Sequence, residues 1–169
     1  MSNELRTTNY RSRVVITGMG VVSVIGTGLP TYWENLKAGK SGIRRITQFD
    51  ASKFPCQIAG EVPEFDPTLY MDRKEARRVP RSAQFGFAAA KLAVEDAGLS
   101  TPLPDPERSG VSFGTAIGGL DRASEGIDII RSQGYDRMNP FIVPTSLVNT
   151  SAYLISQGFQ ALEIGRAHV

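Results

Sequence analysis

What the sequence lacks constrains it first. Its 169 residues include one cysteine, Cys56, and one histidine, His168, the penultimate residue. A single cysteine excludes an intrachain disulfide and fits a reducing compartment. A single histidine leaves no histidine pair for acid–base work and none beside the cysteine in the chain. No apolar run approaches the ~20 residues that cross a bilayer as a helix. The start, Met1 to Arg13, is polar rather than an apolar signal segment. Excess charge of either sign is missing too: 19 basic against 17 acidic residues give +2. That balance speaks against a chain-wide nucleic-acid or membrane-surface role. There is no Walker lysine, and Ser23 stands where a dinucleotide fingerprint needs its third glycine.

What is present suits one α/β domain. At 41% apolar residues the chain can bury a single core. Its organising stretch is Arg13 to Gly26, where Val14, Val15 and Ile16 form a β-branched run expected to be a short strand buried on both faces. Gly18 and Gly20 follow at once, so the backbone can turn sharply or let another segment come close. Residues 1–12 are unpatterned and read as a disordered leader.

Further on, Pro30 opens a short helix carrying Tyr32, Trp33 and Leu36, which Gly39 ends. Lys40 to Pro55 reads as a connecting excursion and Gln57 to Val62 as a second strand. The clearest helix runs from Pro80 to Ala97, with Phe85, Ala88, Ala89 and Leu92 at helical spacing and Gly98 at its end. Pro102, Pro104 and Pro106 make Ser100 to Glu107 an extended connector. Ser109 to Thr115 is the next expected strand. Leu120, Ala123, Ile127 and Ile130 then mark an amphipathic helix stopped by Gly134. Pro140 and Pro144 bracket a loop before a last helix from about Thr145 to Gln157. The alternation of strands and helices argues for a layered α/β fold.

Several separated stretches share one resemblance. They are the opening strand, Phe49-Asp50, Ile58 to Val62, Arg73 to Arg78, Val94 to Leu99, Phe113 to Leu120 and Asn139 to Pro144. In order and spacing they resemble the first part of a β-ketoacyl-acyl-carrier-protein synthase II, the elongating condensing enzyme of fatty-acid synthesis, from about Arg13 to Gln160. The resemblance implies a thiolase-like layered α/β fold present as an incomplete N-terminal half, with residues 13–163 as a partial N-terminal synthase domain. Val24 stands where the family usually has proline, and Pro80 where an aspartate usually begins the helix.

Enzymes resembling this family join an acyl thioester to malonyl-carrier protein with loss of carbon dioxide, using a cysteine nucleophile and two histidines. The chemistry needs a thiolate and fixed donors for a developing oxyanion. By the same resemblance the nucleophile belongs to a strand after the last helix, and both histidines lie downstream of it. No residue of this chain is therefore expected to be catalytic: Cys56 matches no nucleophile and His168 neither histidine. Neither a cofactor nor a metal is expected.

Binding features remain. Asp72 to Arg81 holds Arg73, Lys74, Arg77, Arg78 and Arg81 against Asp72 and Glu75, a local +3. By pattern alone such a run is a solvated face. The resemblance makes Lys74, Arg77 and Arg78 the docking site for acidic acyl-carrier protein. It also makes Ile117, Phe141 and Ile142 acyl-pocket residues, with Met138 to Pro144 at the interface of a homodimer. Exposed Phe141, Ile142 and Val143 would form an apolar patch that asks for a partner.

The reading is thus a fragment of a cytoplasmic acyltransferase, without nucleic-acid or membrane partners. The alternative is a non-catalytic subunit resembling a chain-length factor. Residues 164–169, Ile-Gly-Arg-Ala-His-Val, are similar to the translation of a common sequencing adapter. They are expected to be a non-native tail following a cut near Glu163, a natural short paralogue being the other possibility.

Overall fold

A computed structural model describes residues 13–164. The leader expected at 1–12 and residues 165–169 of the expected tail lie outside the described residues.

Short strands β1 (Val22–Ser23) and β2 (Gly26–Thr27) pair antiparallel and lead into α1 (Leu29–Lys37), with Pro30 in its first turn as expected. The excursion read at Lys40 to Pro55 contains a strand instead. β3 (Ile43–Arg45) pairs antiparallel with β4 (Ile58–Gly60), Arg44 lying opposite Ala59. Sequence missed β3 because Arg44 and Arg45 break its apolar alternation, and its pairing partner lies beyond the intervening loop.

After β4 come α2 (Arg73–Ala76) and the long α3 (Arg81–Asp96). Gly98, in the left-handed region at φ 65°, closes α3 as expected. β5 (Gly110–Val111) covers only part of the strand expected over Ser109 to Thr115. Next are α4 (Leu120–Gln133), a single helical turn α5 (Ile142–Thr145), α6 (Thr150–Phe159) and β6 (Glu163–Ile164). α5 thus lies in the loop expected between Pro140 and Pro144, and α6 begins about five residues later than the expected last helix. β6 runs parallel to β5, with Gly110 opposite Glu163.

The core lies where α2, α3 and α6 meet. Met71, Ala76, Val79, Ala83 and Leu154 are buried there, with Phe87 packed against them. The Phe87 and Phe159 rings stack at 5.6 Å between centroids. Small residues let the helices approach: a Cβ on Gly158 would sit 2.4 Å from the Phe87 ring.

Pro80 occupies the N-cap of α3, where it offers no side-chain cap. Asp121, in the first turn of α4, supplies one from forty residues away, accepting from the Arg81 N–H at 3.2 Å. Arg81 ties the same junction together. Its guanidinium donates to the carbonyls of Val62 (2.9 Å) and Phe65 (3.2 Å) and to Gln84 Oε1 (3.0 Å). It also lies within 4.8 Å of the Phe65 and Phe85 ring centroids.

The opening run needs correction. Val14, Val15 and Ile16 form no strand and are 95%, 68% and 82% exposed. A strand buried on both faces needs neighbours along both edges, and among the described residues none is paired with this run. The glycines after it do permit close approach: a Cβ on Gly20 would lie 1.9 Å from the Ala89 carbonyl oxygen, and one on Gly18 2.3 Å from that of Ala93. The Met19 N–H donates to Asp96 Oδ2 at 2.9 Å, so this segment runs along α3. The apolar stripe of α4 is likewise uncovered, with Leu120 57%, Ile127 49% and Ile130 40% exposed.

Candidate functional site: a basic face beside an apolar groove

At four residues, α2 is too short to persist alone, and its neighbours hold it. Asp72 caps its N-terminus, Oδ1 accepting from the Lys74 N–H at 2.7 Å and the Glu75 N–H at 3.3 Å. Those bonds, led by the one from Lys74, keep the Asp72 carboxyl below its ordinary pKa. At the other end Gln84 Nε2 donates to the Ala76 carbonyl at 2.7 Å. Arg122 Nη2 donates to the carbonyls of Arg77 and Val79, while Nη1 pairs with Glu125 at 2.7 Å. Ala76 and Val79 point inward and are buried.

The outward side carries Arg73, Lys74, Arg77 and Arg78, all exposed. None of them forms an ion pair among the described residues. Arg81 does not belong with them. Its head group is satisfied internally, and burial lowers its pKa from the ordinary arginine value.

Beside this face is a groove of about 750 Å³ whose walls include Lys74, Arg78, Phe141, Leu147, Tyr153 and Leu154. Two groups predicted separately therefore meet: Lys74 and Arg78 from the basic run, and Phe141 from the segment near Pro140. The contact is direct, with Arg78 Cζ 4.8 Å from the Phe141 ring centroid. Arg77 lies on the same short element but does not line the groove.

Ile142 sits elsewhere. It is 6% exposed, and its Cγ2 would touch a Cβ on Gly126 at 2.7 Å. The exposed apolar patch expected of Phe141, Ile142 and Val143 is corrected accordingly: Phe141 (48%) and Val143 (59%) are exposed with Leu147, Val148 and Tyr153, and Ile142 turns inward onto α4. Ile117 is 67% exposed in the loop before α4 and does not line the groove. Arg122 was missed from sequence altogether. A lone arginine on a polar helix carries no signal when the carbonyls it binds lie more than forty residues away.

Cys56 is exposed, and its Sγ lies 3.5 Å from the Ile58 carbonyl oxygen. His168 lies outside the described residues. Among the described residues no cluster of histidine, cysteine and carboxylates could hold a metal ion, and no helix is long and apolar enough to cross a membrane. A second titratable feature is Glu61, 8% exposed, whose carboxylate accepts from the Thr47 hydroxyl at 2.7 Å and from the Thr47 and Gln48 N–H groups. These bonds, the hydroxyl first, lower its pKa from the ordinary 4.5. Glu61 anchors the loop after β3 and has no partner on the basic face.

Comparison with known proteins places the chain in a family. The chain is 41% identical over 146 residues to 3-oxoacyl-[acyl-carrier-protein] synthase 2 of Coxiella burnetii, covering 86% of the chain and 35% of that protein. It is 38% identical over 155 residues to the synthase 2 of Synechocystis, covering 92% and 36%. It thus spans about a third of the length of these relatives. Among solved structures it is similar to the ishigamide ketosynthase/chain length factor, with TM-score 0.81 and 30% identity over 90% of this chain and 38% of that one. The fold is accordingly the N-terminal part of the thiolase-like layered α/β architecture. Residues 11–161 match the family described as beta-ketoacyl synthase, N-terminal domain, and the chain belongs to that family.

Proposed function

We propose that this chain forms the N-terminal part of a 3-oxoacyl-acyl-carrier-protein synthase and contributes its carrier-docking face and part of its acyl pocket. The single observation that carries the reading is the meeting of Lys74 and Arg78 with an apolar groove. An acidic carrier protein needs unpaired cations to steer it, and a thioester-linked acyl chain needs an apolar channel next to them. Lys74, Arg77 and Arg78 dock the carrier. Phe141, with Ile142 behind it and Ile117 on the neighbouring loop, shapes the path of the acyl chain. The complete enzyme moves the acyl group from the carrier thiol to its own cysteine. Malonyl-carrier protein then loses carbon dioxide, and the resulting carbanion attacks the acyl carbonyl and releases the enzyme thiolate. The groups for those steps come from outside the described residues.

The uncovered faces at Val14–Ile16, α4 and Val143–Val148 support a place within a larger assembly, for which we propose the rest of the synthase and a second copy of it in the cytoplasm. A second reading is a chain-length-factor-like subunit, favoured by the likeness to the ishigamide protein. The residue at the nucleophile position of the complete gene separates the two.

The test is charge reversal at Lys74 and Arg78 in the complete enzyme. The association rate with acyl-carrier protein should fall, and the loss should shrink as salt rises, because exposed charges are screened over about 8 Å at physiological ionic strength. Equal preference of wild type and K74E/R78E for carrier-bound over free acyl thioesters would refute the docking reading.

A further inference from the structure

We infer that Arg122 is a positioning residue for docking: from the first turn of α4 its guanidinium clamps the backbone that carries Arg77 and Arg78. This rests on the docking reading above and assigns a role inside it. The backbone between α2 and α3 cannot hold itself. In a continuing helix the Arg77 carbonyl would accept from the N–H three or four residues on, that of Pro80 or Arg81. Pro80 has no N–H, and the Arg81 N–H donates instead to Asp121 Oδ2 at 3.2 Å.

Arg122 supplies the missing donor. Its Nη2 reaches the carbonyls of Arg77 and Val79, on either side of Arg78. Asp121 and Arg122 are neighbours in α4, so one turn of one helix takes both those carbonyls and the Arg81 N–H. Val79 and Pro80 are buried and fix the inner side of the connector, while Arg77 and Arg78 are exposed on the outer side. Arg122 is not itself a docking cation. Its side chain is only 20% exposed, and Nη1 pairs with Glu125 at 2.7 Å, so its charge is answered within α4. The role therefore needs no access from solvent. A planar fork suits it, because one guanidinium serves two carbonyls and a carboxylate together. Without it the Arg77 carbonyl loses its donor, and the carrier must order the two arginines as it binds.

The experiment measures association and dissociation rates of acyl-carrier protein on the complete enzyme. R122Q/E125Q removes the fork and leaves net charge unchanged, so the long-range field and the association rate should stay as in wild type. The dissociation rate should rise about two- to tenfold, the range of a lost hydrogen bond. Arg122→Lys keeps a charged donor for the carbonyls and should show a smaller rise. In an R77Q/R78Q background R122Q/E125Q should change neither rate, a non-additivity that a general packing defect does not produce. A dissociation rate unchanged in both Arg122 variants overturns the role of Arg122 alone. So does a loss that persists undiminished beside R77Q/R78Q. If the carrier binds wild type and K74E/R78E equally, the docking reading itself falls, and this inference with it.

Discussion

Ile16→Thr should act with different strength in two settings, which makes it a sharp probe of the uncovered opening run. In the isolated chain Ile16 is 82% exposed and unpaired. Substitution there should leave the far-UV circular dichroism of the isolated chain unchanged, because it breaks no contact. In the complete synthase a β-branched run of this kind should be covered on both faces. Burying an isoleucine is worth about 1.5–3 kcal/mol, most of which is unrealised at 82% exposure. A threonine in that place loses part of it and adds a hydroxyl whose burial without a partner costs about 1–3 kcal/mol. The expected loss in the complete enzyme is therefore about 2–4 kcal/mol, read as a lower urea midpoint at unchanged slope. The isolated chain supplies the second arm. With Val14–Ile16, the α4 stripe and Val143–Val148 all uncovered, unrealised burial rivals the roughly 5–15 kcal/mol of a domain's net stability. It should bind a hydrophobic dye and melt without a cooperative transition, and Ile16→Thr should reduce its aggregation. A complete enzyme indifferent to Ile16→Thr would refute the reasoning, as would an isolated chain that is a soluble monomer with dispersed amide signals and one sharp melt.

Two further outcomes follow from the packing and the titratable groups. Gly20→Ala should destabilise the complete enzyme by about 3 kcal/mol or more, the upper end of overpacking. Its Cβ would lie 1.9 Å from the Ala89 carbonyl, which is backbone and cannot rotate away; a melting temperature equal to wild type would contradict that contact. Thr47→Val removes the largest cause of the lowered Glu61 pKa. Because the folded value lies below the ordinary 4.5, this carboxylate adds stability above the unfolded pKa and loses it as pH falls through the folded one. The acid-unfolding midpoint of the variant should therefore shift to higher pH, and an acid titration followed by circular dichroism that superimposes on wild type would remove Glu61 from the account.

Much of the helical framework was legible because local rules and tertiary structure agree there. Pro30 at the start of α1, the small and apolar spacing of α3 and the glycines after α3 and α4 each state a boundary in their own chemistry. The strands were less legible. β3 is masked by its arginines, β5 is shorter than the strand expected over Ser109 to Thr115, and Val14–Ile16 has the composition of a central strand without one forming. Strand formation depends on a partner, and a partner is a tertiary fact. Which helical face stays uncovered was not legible either. Sequence alone does not tell α6, buried at seven positions, from α4, where only Gly126 is buried, because both show an apolar stripe.

For the candidate site, the residues themselves determined the chemistry on offer. The Asp72 to Arg81 run supplies cations, the Pro140 segment supplies an aromatic, and one cysteine with one histidine leaves no histidine pair. Only the tertiary structure decided which of these act together. It set Arg78 against Phe141, turned Ile142 inward onto Gly126, and withdrew Arg81 into a junction with Phe65 and Phe85. The physical reason is range. Charge, turn and helix preferences are written over a few neighbouring residues, whereas the contacts of Arg78, Arg81 and Arg122 are made across some sixteen to more than sixty positions of chain.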